Sequence, residues 1–324
     1  MRKALWAAAL PVVAAACSES STSPEPPPPE LRWGQMGTMD GRFRSPVQVA
    51  VDANGGVYVA DSNNARIQKF DADGAFLYAT GTAGAGDEQF LTPLGIAVHN
   101  ADIYVADTGN DRVQALDFDG EYAFQFGSPG SGIGQLMAPN GLATDAAGNV
   151  YVTDAGNSRI QVFDAAGTYV RQWGASGSGD GQFVDPAGVA VNADGDVYVV
   201  DRGNHRVQVF TGAGSYRGAW GQAGSGDGQF QSPSGIAIDD HGVVWVADTG
   251  NDRVQAFDRN GNFLQTWNGP SDGSAPLNAP RGVGAGKGYV YVADSGNHRI
   301  QRFNQRRPRT SRVRGLSSKG GAAV

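Results

Sequence analysis

The pattern Asp-x-x-Asn-x-Arg-(Ile/Val)-Gln occurs six times in this chain. It begins at Asp61, Asp107, Asp154, Asp201, Asp248 and Asp294, at intervals of 46 or 47 residues. A period of that length constrains the fold before anything else does, because repeats of about 20–50 residues build solenoids, propellers or arrays.

Other positions keep the same register. A proline opens each unit: Pro46, Pro93, Pro139, Pro186, Pro233 and Pro280. After it come an apolar run such as "GVAV", a turn such as "NADGD", and a run such as "DVYVVD". The Asp-to-Arg turn, a run such as "RVQVF", a second Gly-containing turn and an aromatic segment such as "TYVRQW" complete the unit. β-branched and aromatic runs bounded by Gly, Asp and Asn read as short strands joined by tight turns. The 48 glycines in 324 residues fit that reading. Four antiparallel strands in a repeat of about 45 residues make the blade of a β-propeller.

The ends decide between a closed ring and a solenoid, whose repeats need capping units. The sixth unit stops near Phe303 without its aromatic fourth strand, whereas "LRWGQMGTMDGRFRSP" precedes the first unit with no three strands before it. Trp33 lies 13 residues before Pro46, the spacing of Trp173 to Pro186 and of Trp220 to Pro233. Leu31–Gly34 is therefore expected to be the outer strand of the sixth blade. Such closure removes an open sheet edge. The predicted fold is all-β: a six-bladed β-propeller of four-stranded antiparallel blades over residues 31–303, closed by an N-terminal outer strand.

Units such as "PSGIAIDDHGVVWVADTGNDRVQAFD" (Pro233–Asp258), "DAGNSRIQVFD" and "DRGNHRVQVF" resemble NHL repeats, and the resemblance runs through all six units. It implies the propeller fold. It leaves function open, since the NHL family includes peptide-amidating lyases, RNA- and protein-binding modules and sensor domains of bacterial kinases.

The repeated Asp, Asn and Arg occur once per blade, whereas a catalytic group is needed once. They read as a charge-assisted pair, or as backbone-bonding groups, that pins the turn between second and third strands. The residue between Asp and Asn (Asn63, Gly109, Gly156, Gly203, Gly250 or Gly296) is expected at positive φ. Turns such as "DADG" are too short for calcium loops and lack the distal acidic ligand. "GSGDGQF" (Gly177–Phe183) imitates a phosphate loop but leads into a strand, not a helix. The four histidines fall in two turn types on opposite faces: His99 and His241 on one, His205 and His298 on the other.

In NHL-type lyases the slot after the blade-opening proline carries zinc-binding histidine. Here it holds Val47, Leu94, Asn140, Ala187, Ser234 and Arg281. Lactonase-type propellers hold metal through an axial Glu, but Glu88 and Glu121, the two within the blades, are not in axial slots. No cofactor or metal site is expected. The least repetitive slots are this one and the residue before each Arg (Ala65, Asp111, Ser158, His205, Asp252, His298). Both should share one face, and Asn140, Arg202, His205, Arg281 and His298 are the ligand-binding candidates. A non-catalytic scaffold for a protein, peptide or glycan is the leading expectation. A metal-dependent lyase or hydrolase at the axial pocket is the alternative.

Arg2 and Lys3 precede the apolar run "ALWAAALPVVAAA", which ends at Cys17, the only cysteine. The run is too short to span a bilayer and ends in small residues, as secretory signals do. "AAAC" resembles a bacterial lipoprotein signal, with Ala14 where such signals usually carry Leu. Residues 1–17 are thus expected to be a signal ending at a lipidated Cys17, an ordinary cleaved signal being the other reading. The Ser/Pro-rich residues 18–30 read as a linker, and an exported, membrane-anchored protein of the bacterial cell envelope follows. Residues 304–324 read as a basic, disordered tail. The chain has net charge −7, and setting aside the seven Lys/Arg from Arg302 onward leaves −14 for residues 1–301. An acidic body without clustered Lys/Arg disfavours nucleic acid.

Overall fold

The computed structural model describes residues 31–269 and 275–305. The expected signal with its lipidated Cys17, the expected linker and the basic segment beyond Gln305 lie outside the described residues.

Each unit folds as one four-stranded antiparallel sheet, and there are six of them. In the first blade the strands are Pro46–Val51, Val57–Asp61, Arg66–Phe70 and Phe76–Thr80, from the axis outward. The second runs Pro93–His99, Asp102–Asp107, Arg112–Leu116 and Tyr122–Phe126, and the third Pro139–Thr144, Val150–Asp154, Arg159–Phe163 and Tyr169–Trp173. The fourth is Pro186–Val191, Asp196–Asp201, Arg206–Thr211 and Tyr216–Trp220. The fifth has a shorter inner strand, Ile236–Ile238, then Val244–Asp248, Arg253–Phe257 and Phe263–Trp267. In the sixth, Pro280–Gly286, Tyr289–Asp294 and Arg299–Asn304 are completed by Leu31–Trp33, which pairs Leu31 with Arg302 and Trp33 with Ile300. The N-terminal strand closes the ring.

Packing between blades tells the same story. Six buried apolar clusters each combine residues of two consecutive blades. The cluster across the closure holds Val57, Val59 and Phe70 of the first blade against Tyr291, Ala293 and Ile300 of the sixth, with Trp33 packed on it. Sheets stacked face to face bury both faces of their middle strands, which explains why second strands such as Val57–Asp61 are buried at every residue.

The loop between an outer strand and the next proline repeats as well. It contributes a wedge residue, Phe43, Phe90, Leu136, Phe183 or Phe230, with no exposed surface, and Leu277 at 2%. The glycine-rich "GSGDGQF" is this loop: Gln182 Oε1 accepts from Gly179 N–H at 3.0 Å, and Phe183 is the wedge. The "DADG" turn is likewise self-contained, Asp71 Oδ1 accepting from the N–H of Asp73 and Ala75.

Candidate binding face and axial mouth

The disc has two faces. One carries the Asp-to-Arg turns and the blade-to-blade loops and is called the upper face here. The other carries the turns between first and second and between third and outer strands.

On the upper face each repeated Asp is fully buried. Asp154 is representative. Its Oδ2 accepts from Arg159 Nε at 2.7 Å, Gln161 Nε2 at 3.0 Å and Asn157 Nδ2 at 2.9 Å, while Oδ1 accepts from Met137 N–H at 2.7 Å. Arg159 then donates through Nη2 to the carbonyls of Gly132 and Gln135. The set therefore ties the hairpin to the loop arriving from the preceding blade, through charge-assisted bonds in a site shielded from water. The Asp–Arg pair recurs in all six blades at 2.7–2.9 Å.

The turn itself departs from expectation. The residue between Asp and Asn does not take positive φ; the left-handed residues are the ones before each Arg, from Ala65 at +51° to His298 at +55°. In five of the six blades glycine stands between Asp and Asn for a different reason. Gly109 N–H bonds Leu91 O at 2.7 Å, and a Cβ on Gly109 would stand 2.7 Å from that same oxygen. Close backbone approach, and not φ, selects it.

The slot before each Arg also has work to do. Asp111 Oδ1 accepts from Ala138 N–H at 2.7 Å, and Asp252 Oδ1 from Ala279 N–H at 2.6 Å. His205 Nδ1 accepts from Ser232 N–H at 3.1 Å, and His298 Nδ1 from Ser45 N–H at 3.0 Å. In four blades this side chain therefore clasps the residue before the next blade's proline. An Asp oxygen and a His Nδ1 serve equally as acceptor, so the variation does not mark a slot free of scaffold demands.

The slot after each proline behaves differently. Asn140, Arg202 and Arg281 line one small cavity on the axis, with Gln48, Leu94 and Ser234. His205 and His298 share the face but stand at the blade seams, away from this mouth. The mouth is narrow, at about 40 Å³. Its tightness is written in glycine: a Cβ on Gly95 would fall 2.1 Å from Asn140 O, and Gly141, Gly188, Gly235 and Gly282 meet the next blade's carbonyl at 2.2–2.5 Å. In the first blade the same slot holds Gln48, which lines both this mouth and the apolar channel below it. Gln48 was legible as the one non-glycine in "PLG", "PNG", "PAG", "PSG", "PRG" and "PVQ".

Electrostatics separate the two axial arginines. Arg202 is held by Asp185 through Nε and Nη2 at 2.7 and 2.8 Å. Arg281 is exposed, and among the described residues no hydrogen bond or ion pair engages its guanidinium. Outside the axis, three consecutive blades present exposed apolar side chains at one repeated position: Leu91, Met137 and Val184. Among the described residues no three His, Cys, Asp or Glu converge in a metal-holding group.

Elsewhere burial shifts several titrating groups. Burial, and next Asp102, push the Tyr104 phenol up to about 12. Burial also lowers the Lys69 ammonium against the pull of Asp52 and Asp119. That ammonium lies 3.3 Å from the centre of the Phe118 ring. Both groups fill blade interfaces.

Comparison with known proteins agrees with this geometry. The NHL repeat model matches residues 43–70, 136–163, 183–210, 230–257 and 277–303. The second blade lies outside the matched segments, yet Asp107 binds Asn110, Arg112 and Gln114 as its counterparts do. Protein brain tumor of Drosophila melanogaster is 45% identical over 67 residues, which is 21% of this chain and 6% of that protein. B-box type zinc finger protein ncl-1 of Caenorhabditis elegans is 47% identical over 47 residues, 14% of this chain and again 6% of that protein. The chain thus spans a small fraction of the length of these relatives.

Among solved structures, a protein of unknown function from Bacteroides thetaiotaomicron aligns with TM-score 0.67 and 18% identity over 84% of this chain and 74% of its own. An auxiliary nutrient binding protein from the same organism gives 0.61 and 13% over 81% and 69%. A streptogramin B lyase gives 0.57 and 15% over 84% and 86%. These likenesses are of fold. Five segments that match the NHL repeat model and a sixth unit of the same pattern form, in this chain, the six blades of a closed β-propeller.

Proposed function

We propose that the upper face is a non-catalytic binding surface for a protein, peptide or glycan, centred on the axial mouth. Arg281, Asn140 and Arg202 form the centre, with His205 and His298 at its margin. The observation that carries this reading is the size of the mouth. Pockets for small ligands run to about 300–1,000 Å³, and one water occupies about 30 Å³ of liquid. An axial space of about 40 Å³ favours recognition at the surface over an enclosed substrate site. The exposed Leu91, Met137 and Val184 add apolar surface on the same face, away from the axis, to a guanidinium that no described residue pairs with.

The test is capture of partners from a cell-envelope extract, followed by affinity measurement of the captured partner against purified variants. Arg281→Ala is expected to weaken binding by roughly tenfold or more, the loss typical of an arginine hot spot. Equal affinity for Arg281→Ala and Asn140→Ala would remove this face from consideration.

The same reading places the protein outside the cytoplasm, held to a bacterial membrane by a lipid on Cys17. It rests on the apolar run that ends at that residue. Cys17→Ala is expected to move the protein from the membrane to the soluble fraction, since acyl chains supply the anchoring energy. Retention of the variant in membranes rejects the anchor.

A further inference from the structure

On the lower half of the disc, the middle residue of an outer strand bridges to the next blade. Tyr78 Oη donates to Phe118 O at 2.9 Å, and Arg171 Nε donates to Gly212 O at 2.7 Å. Phe124 packs into the cluster between the second and third blades. The register identifies the equivalents: Lys69 faces Tyr78, Ala115 faces Phe124, Val162 faces Arg171, and in the fourth blade Val209 faces Gly218. Gly218 bridges nothing, and a Cβ built on it would meet no atom within 4 Å.

A cleft lies between the fourth and fifth blades, and Gly218 lines one part of it. It consists of two adjoining cavities of about 710 and 590 Å³, which share Asp194, Tyr198, Arg259 and Asn260. Ile238, Leu264 and the buried Tyr198 supply apolar surface, and the exposed Asp194 and Asp240 stand at the rim. Among the described residues Asp194 has no ion pair, and Asp240 receives only the Gly288 N–H at 3.4 Å. The walls also carry Arg217, paired with Asp196 at 3.2 Å, and Arg259.

The described chain stops beside this rim. Gln305 N–H donates to Gly288 O at 2.8 Å, so one residue separates the last described position from Asp240. The sequence continues "RRPRTSRVRGL", with Arg306, Arg307, Arg309, Arg312 and Arg314, no acid, and the apolar Val313 and Leu316. Eleven residues reach over about 35 Å when extended, enough to cross from the sixth blade to the cleft.

We propose that the cleft between the fourth and fifth blades is a docking site for an arginine-rich segment, and that residues 306–316 of this same chain occupy it. The exposed carboxylates of Asp194 and Asp240 and the apolar surface of Ile238 and Leu264 are what the cleft offers such a segment. This site is on the opposite half of the disc from the upper face and is independent of the function proposed there.

Trypsin cleavage of the full chain tests it. At low salt, cutting after Arg306–Arg314 is expected to be roughly tenfold slower than in a free peptide of the same sequence, the protection that a few weak ion pairs and some apolar contact provide. Gly218→Gln, which puts a side chain into the cavity shared by Asp194 and Arg259, should weaken the protection, and the double variant Asp194→Asn with Asp240→Asn should restore the free rate. About 0.5 M NaCl should do the same to the wild type, by screening the exposed pairs. Cleavage of the wild type at the free-peptide rate overturns the proposal. So does protection that survives both variants, or protection lost on dilution, which would place the segment on a second copy.

Discussion

Asp154→Ala is expected to destabilise the protein by about 3–5 kcal/mol, the cost of removing one partner from a buried ion pair. Arg159, largely buried, would lose the carboxylate that holds its Nε, and Gln161, Asn157 and the Met137 N–H would lose their shared acceptor. The same substitution at Asp201 or Asp248 should cost a similar amount, because the bonds are the same. Arg202→Ala provides the contrast. Its pair with Asp185 is 30% and 51% exposed, and exposed pairs contribute about 0–1 kcal/mol. Urea denaturation of the variants checks both statements. A small loss at Asp154 would show that the recurring Asp does not pin the blades.

Trp33→Ala is expected to cost about 2–4 kcal/mol, somewhat below the usual range for a fully buried aromatic because Trp33 is half-buried. Trp33 packs against Phe70 at 5.8 Å and Tyr291 at 6.2 Å, so it joins the first blade to the sixth. A Cβ on Gly74 would come within 2.8 Å of its ring, which shows how closely the first blade's turn covers it. Deleting Leu31–Gly34 goes further, because it also strips the pairing partner from Arg299–Asn304 and exposes that strand as an edge. The deletion should lower the urea midpoint more than Trp33→Ala and raise light scattering on storage. An unchanged midpoint in either variant would refute closure by this strand.

Much of this architecture was legible because it repeats. Six copies of one spacing define the blades, and two incomplete ends with matching Trp-to-Pro distances define the closure. The structural role of Asp, Asn and Arg followed from their multiplicity. The candidate residues were harder to sort. Asn140, Arg202, His205, Arg281 and His298 occupy the same face, but only three meet at the mouth. The other two contribute acceptors to seams, which depend on where the next blade's N–H arrives. Gly109 and its equivalents show the same limit: a glycine can be required by φ or by a neighbour's carbonyl, and sequence does not distinguish these.

The sequence by itself determined the blade count, the order of strands and the closed ring, because local turn chemistry and strand alternation are short-range properties copied six times. Tertiary structure decided the rest. The width of the axial mouth, the seam contacts before each Arg and the cleft at Gly218 arise between blades. Each depends on distances between residues some 27–50 positions apart in the chain, or on the two ends meeting. A repeat specifies its own blade. How neighbouring copies touch, and where a cleft lies between them, is set only when the blades are packed together.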